Sequence, residues 1–148
     1  MKHIQIYLAG GMGKFGKEQF DEGNKWRRLC KTTLENVEFR DIGTQVKVIN
    51  PNDYFNFVDE PCLYKTEREV MNFDLNKVRR SDLVIVNFND RHSLGTMAEI
   101  AIAYDRRIPI IGLNEDEMEL HPWQECMCER VFSNIHNLLD YVEDFYLR

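Results

Sequence analysis

Ser81-Asp82-Leu83-Val84-Ile85-Val86-Asn87-Phe88-Asn89-Asp90-Arg91-His92-Ser93-Leu94-Gly95-Thr96-Met97-Ala98-Glu99 is the stretch that decides the fold. Leu83 to Phe88 is a near-continuous apolar run, as expected of a strand buried on both faces. A polar turn follows, and a helix is predicted from Thr96 to Arg106. Strand, turn and helix in this order form the repeating unit of α/β proteins, which bind ligands beyond the carboxyl ends of their strands.

The same alternation continues on either side. Ile4 to Ala9 reads as a first strand ended by Gly10-Gly11. Phe20, Trp26, Leu29, Cys30 and Leu34 give the segment from about Lys17 to Asn36 the spacing of an amphipathic helix. Val46 to Ile49 is a second strand, stopped by Asn50-Pro51-Asn52-Asp53. An aromatic stretch with Tyr54, Phe55, Phe57, Pro61 and Tyr64 is longer than an ordinary βα loop, so it is expected to wall or cover a pocket. A helix from Thr66 to Arg80 leads into the opening stretch. Ile108 to Gly112 is a fourth strand, and Val131-Phe132 a short fifth before a terminal helix capped by Asn134. The expected architecture is α/β: a flavodoxin-like (Rossmann-like), doubly wound three-layer sandwich around a roughly five-stranded parallel sheet. With 148 residues, 43% of them hydrophobic, the chain is expected to form one domain over residues 1–148.

Composition narrows the function. The net charge of −6 comes without a basic cluster that could track a phosphate backbone, so no nucleic-acid polymer is expected as a partner. A single nucleoside or nucleotide needs only a few donors. No apolar run approaches a membrane span, and Met1-Lys2-His3 leads straight into a strand; a cytoplasmic protein with no membrane partner is expected. Cys30, Cys62, Cys126 and Cys128 are scattered, consistent with reduced thiols. His121, Cys126 and Cys128 lack a fourth ligand and fit no common zinc spacing, so no metal and no cofactor is expected.

Gly11-Met12-Gly13-Lys14-Phe15-Gly16 matches the G-x-G-x-x-G of dinucleotide sites, yet strand two ends in Asn50-Pro51 instead of a ribose-binding acid. A Walker loop is excluded because Leu8 stands where its first glycine belongs and Phe15 replaces the Ser/Thr. Glycines that let the chain turn and approach a ligand remain the simpler account.

Three side chains stand out. Asp74 shares the i, i+3, i+4, i+7 stripe of Met71, Leu75 and Val78; such an acid lines a cavity or tilts to solvent beside Lys77 or Arg80. Glu99 reads in two ways. Thr96-x-x-Glu99 fits a capping box, but a carboxylate in a first helical turn is also kept ionised by the helix dipole, which suits a nucleophile. Tyr7 ends strand one, either as a core aromatic or with its hydroxyl in the same crevice.

Tyr7-Leu8-Ala9-Gly10, Asp74-Leu75-Asn76 with the strand after it, and Ser93-Leu94-Gly95-Thr96-Met97-Ala98-Glu99 together resemble the nucleoside 2-deoxyribosyltransferase family over most of the chain. The resemblance implies that Glu99 attacks the anomeric carbon of a 2-deoxynucleoside, that Asp74 contacts or protonates the departing base, and that Tyr7 positions the nucleophile. It implies a substrate crevice formed by Gly10, Gly11, Met12, Asn89, Asp90, Ser93, Gly95 and Thr96. It also implies a homodimer or higher homo-oligomer, with Tyr54 to Tyr64 or His121-Pro122-Trp123 available for the contact. Family members that use free nucleosides usually carry Asp where this chain has Ser93, whereas the related nucleoside 5′-monophosphate N-hydrolases carry Ser followed by Leu-Gly. Three functions are therefore open: deoxyribosyl transfer to an acceptor base, hydrolysis of 5′-monophosphates, and a non-catalytic module that binds or senses a nucleotide.

Overall fold

The computed structural model describes residues 2–11, 21–36, 43–54 and 66–148. Met12 and the 55–64 part of the aromatic stretch lie outside them. The described elements run β1 (Lys2–Gly10), α1 (Lys25–Leu34), β2 (Thr44–Ile49), α2 (Glu67–Arg79), β3 (Leu83–Asn87), α3 (Leu94–Asp105), β4 (Ile110–Leu113), α4 (Pro122–Met127), β5 (Arg130–Phe132) and α5 (Ile135–Tyr146). A 3₁₀ turn at Pro51–Asp53 follows β2, with the Asn50 side chain accepting from the Asn52 amide at its start.

The five strands lie in the order β2-β1-β3-β4-β5 with every neighbouring pair parallel. This is the expected flavodoxin-like order. Alternating side chains feed two cores, one on each face of the sheet. Ile4, Ile6 and Leu8 of β1 join Leu83 and Ile85 of β3 under α1 and α5, where Cys30, Leu34, Leu138 and Val142 are buried. Tyr7 and Ala9 join Val84 and Val86 on the opposite face with Val78 of α2 and Ile100 and Ala103 of α3. Strand β1 has β2 on one side and β3 on the other, pairing Tyr7 with both Ile49 and Val84. The strand order reverses beside β1, so a crevice opens past its carboxyl end.

Two glycines at that end are fixed by close approach. A Cβ on Gly10 would lie 2.9 Å from Trp26 Cζ2 and 3.2 Å from the Asn87 carbonyl oxygen; one on Gly11 would lie 2.8 Å from Asp90 Cβ.

One expected boundary is corrected. Helix α3 starts at Leu94, not Thr96, because the Ser93 hydroxyl accepts from the Thr96 amide at 3.3 Å and serves as the N-cap. Thr96-x-x-Glu99 is therefore no capping box, and Glu99 lies beyond the first turn, where the helix dipole does little for it. Helix α4 was not expected; Pro122 opens it, and His121 Nδ1 accepts from the Trp123 amide at 3.1 Å.

Candidate active site

At the carboxyl end of β1 a cavity of about 350 Å³ is lined by Tyr7, Gly10, Arg27, Asp74, Ser93, Gly95, Thr96 and Glu99, with Pro51, Val70, Met71 and Leu75 as apolar walls. Each acid arrives on a different helix. The stripe of α2 explains Asp74: Val78 enters the core while Met71, Asp74 and Leu75 face the cavity. Lys77 has turned away and sits over the rings of Tyr54 and Phe73, so it does not pair with Asp74. Among the described residues Asp74 Oδ1 is buried with no hydrogen-bond partner. Such an orphaned oxygen costs free energy that a ligand donor or a proton can offset.

Glu99 comes from α3 and meets the end of β1, where the Tyr7 hydroxyl donates to its Oε2. Tyr7 is wholly buried, so this bond is its polar tip's contact in an otherwise apolar setting. Burial pushes Glu99 up to about 8; the Tyr7 bond opposes this, Asp74 adds to it and Arg27 opposes it. Burial likewise pushes Asp74 up to about 7, with Arg27 pulling the other way. The Tyr7 hydroxyl itself is held well above the ordinary phenol range, first by burial and then by Glu99 and Asp74. Two half-buried acids, both raised toward neutral pH, line one cavity, as proton-transferring sites require.

Ser93 Oγ accepts from both the Thr96 amide and, at 2.9 Å, the Thr96 hydroxyl. Its own proton is left to donate, and its residue lines the cavity. Gly95 and Thr96 complete this wall. Gly11, Asn89 and Asp90 come together outside the cavity lining: Asn89 Oδ1 accepts from the Gly11 amide at 2.9 Å, and Asp90 Oδ1 accepts from the His92 amide at 3.1 Å. The Asn89 and Asp90 side chains brace the loops that carry the site.

Arg27 is absent from the sequence-based set. It lies at 1% exposure, its Nη2 donating to the Gly10 carbonyl at 3.0 Å and its Nη1 to that of Gly11 at 3.4 Å. The signal was available: Arg27, Cys30 and Leu34 are the buried i, i+3, i+7 stripe of α1, and an arginine on such a stripe is as anomalous as Asp74. Two broader hollows elsewhere are lined by acids that are all exposed, Asp105 and Glu129 in one and Glu119 in the other. Among the described residues no group of three or more His, Cys, Asp or Glu is placed to hold a metal ion, and no helix is long and apolar enough to cross a membrane.

A tyrosine-held carboxylate facing a second raised acid, at the switch point of a 2-1-3-4-5 sheet, is an arrangement suited to acid–base and nucleophilic chemistry on a small ligand. The nucleoside 2-deoxyribosyltransferase family model matches residues 6–139, and the chain belongs to that family. Membership indicates a glycosyl-transferring enzyme. No curated protein sequence matches the chain. Among solved structures it is similar to a conserved protein from Enterococcus faecalis V583 (TM-score 0.71, 17% identity, covering 96% of this chain and 98% of that one). It is also similar to a 2-deoxyribosyltransferase from Bacillus psychrosaccharolyticus (0.66, 18%, covering 93% and 91%). A third similar structure is the CMP N-glycosidase BcmB from Clostridium botulinum (0.59, 15%, covering 95% and 99%). At these identities the likeness establishes the fold.

Proposed function

We propose that the protein cleaves the N-glycosidic bond of 2-deoxynucleosides and transfers the deoxyribosyl group to an acceptor base through a covalent intermediate on Glu99. The observation that carries this reading is the Tyr7 hydroxyl bonded to Glu99 in the same cavity as the unpartnered Oδ1 of Asp74.

With the cavity empty, burial raises both acids, so the pair retains a proton near neutral pH. A bound base whose ring nitrogen accepts from Asp74 draws the proton there, and the Tyr7 bond holds Glu99 as the anion. The Glu99 carboxylate then attacks the anomeric carbon while the C–N bond breaks through an oxocarbenium-like transition state. The departing base takes the Asp74 proton. An acceptor base attacks the glycosyl ester from the opposite face, Glu99 leaves as carboxylate, and the acceptor's proton returns to Asp74.

One observation favours a second reading, hydrolysis of deoxynucleoside 5′-monophosphates by the same residues with water as acceptor. Ser93 has a hydroxyl proton to donate into the cavity and carries no charge to repel a phosphate. Incubation with 2-deoxynucleosides, with and without a second base, and with deoxynucleoside 5′-monophosphates separates the two. Base exchange supports transfer, and free base with deoxyribose 5-phosphate supports hydrolysis. Ligand-induced thermal stabilisation without turnover, retained by Glu99→Gln, contradicts both and identifies a binding module.

The mouth of the cavity supports assembly with a second copy of the chain. Leu94 is 86% exposed and Met71 51%, both on the cavity wall, and Trp123 is 68% exposed beside Leu94. A homodimer or larger homo-oligomer in sedimentation, lost in Trp123→Ser together with activity, is the expected outcome; an active monomer contradicts it.

A further inference from the structure

We propose that Arg27 is a positioning residue for the reaction: fixed by the carbonyls of Gly10 and Gly11, its buried guanidinium supplies across the cavity the positive charge that keeps one of the two carboxyls, Glu99, available as an anion. This rests on the reading of Glu99 as the nucleophile.

The geometry sets Arg27 apart from an ordinary structural arginine. It is 1% exposed and lines the same cavity as Tyr7, Asp74 and Glu99. Among the described residues its two bonds go to neutral carbonyls and its Nε has no partner, and its guanidinium lies 4.8 Å from the Trp26 ring centroid. Among the described residues no carboxylate is in ion-pair contact with it. Two carbonyls would be satisfied as well by a neutral donor, so they do not explain a buried cation. Burial lowers it from the ordinary guanidinium range, and the groups that oppose this are Glu99 of α3, Tyr7 of β1, Asp74 of α2 and Cys30 on its own helix. Arg27 lowers Glu99 and Asp74 alike, against the burial that raises both. From a guanidinium at 1% exposure such a field is screened less by salt than one from a surface charge.

The test uses the full chain with ¹³C-labelled glutamate, following the Glu99 carboxyl signal against pH in the empty protein; the signal is assigned by its loss in Glu99→Gln. Arg27→Gln keeps an amide donor but no charge, whereas Arg27→Lys keeps the charge and loses the fork. In Arg27→Gln the Glu99 midpoint is expected to rise by about one pH unit. In Arg27→Lys it should stay within a few tenths of a unit. The acidic limb of kcat/KM should move with it, lowering turnover by about tenfold below the limb while KM holds. A midpoint unmoved in Arg27→Gln overturns the proposal, as does failure of both variants to fold. A rate lost equally at every pH assigns Arg27 to structure alone and also overturns it. A moved midpoint in a protein that releases no base from any substrate instead overturns the reading of Glu99 as nucleophile, so the two failures are distinct.

Discussion

The Tyr7 hydroxyl donates to Glu99 Oε2 across 92 positions of sequence, tying the carboxyl half of β1 to helix α3. Parallel pairing of β1 with β3 and the packing of α3 on that face bring the two together, so the contact is a product of the whole fold. Removing the hydroxyl isolates its effect. Tyr7→Phe keeps the ring in its core and is expected to lower kcat by about 10–100-fold with little change in KM, by analogy with the loss of one charge-assisted hydrogen bond. Because that bond lowers Glu99, the acidic limb of the pH–rate profile should also move to higher pH. Steady-state kinetics over pH 5–9 check both; an unchanged limb would remove Tyr7 from the account.

Asp74→Asn should cost most with the poorest leaving groups. If Asp74 delivers the proton, bases that leave readily without protonation are spared, and the rate ratio between variant and wild type widens as the leaving base becomes more basic. The basic limb of the profile disappears, and the acidic limb falls because Asp74 raises Glu99. A uniform loss across leaving groups points to binding instead.

Stability carries a pH signature. Glu99 is raised to about 8 in the folded chain from an ordinary 4.5, so the neutral, buried form is favoured below 4.5 and its contribution is lost as pH rises through 8. Glu99→Gln should therefore match wild type near pH 5 and exceed it at pH 8 by on the order of 1–2 kcal/mol in urea denaturation. Equal stability at both pH values would show that the carboxyl is not raised.

Ser93→Asp separates the cap from the substrate contact. Asp caps a helix as well as Ser, so stability should change by only a few tenths of a kcal/mol. A carboxylate there repels a phosphate, and turnover of 5′-monophosphates should fall relative to free nucleosides by about tenfold or more. Competition between the two substrates reads the ratio directly. An unchanged ratio removes Ser93 from substrate choice.

The strand pattern and the sheet order were legible because Leu83 to Phe88 and Ile4 to Ala9 are buried on both faces and carry no competing signal. Asp74 was legible as an acid out of place on an apolar stripe. The start of α3 was not, because Ser93 and Thr96 are both good caps and only tertiary contacts choose between them. Arg27 escapes because Leu29, 36% exposed, completes an apolar spacing on α1 without the arginine two residues earlier. Its partners, two backbone carbonyls at the end of β1, leave no trace in the sequence.

The central claim is a covalent bond between Glu99 and the sugar. A 2-deoxy-2-fluoro nucleoside with a good leaving base slows both steps by destabilising the oxocarbenium-like transition state, and its glycosyl ester accumulates when formation outpaces breakdown. Intact-mass spectrometry of the trapped protein followed by peptide mapping should find one fluorosugar per chain on the peptide containing Glu99, and none in Glu99→Gln. Turnover of the natural substrate with no adduct, or an adduct on any other residue, would contradict the assignment of Glu99 as nucleophile.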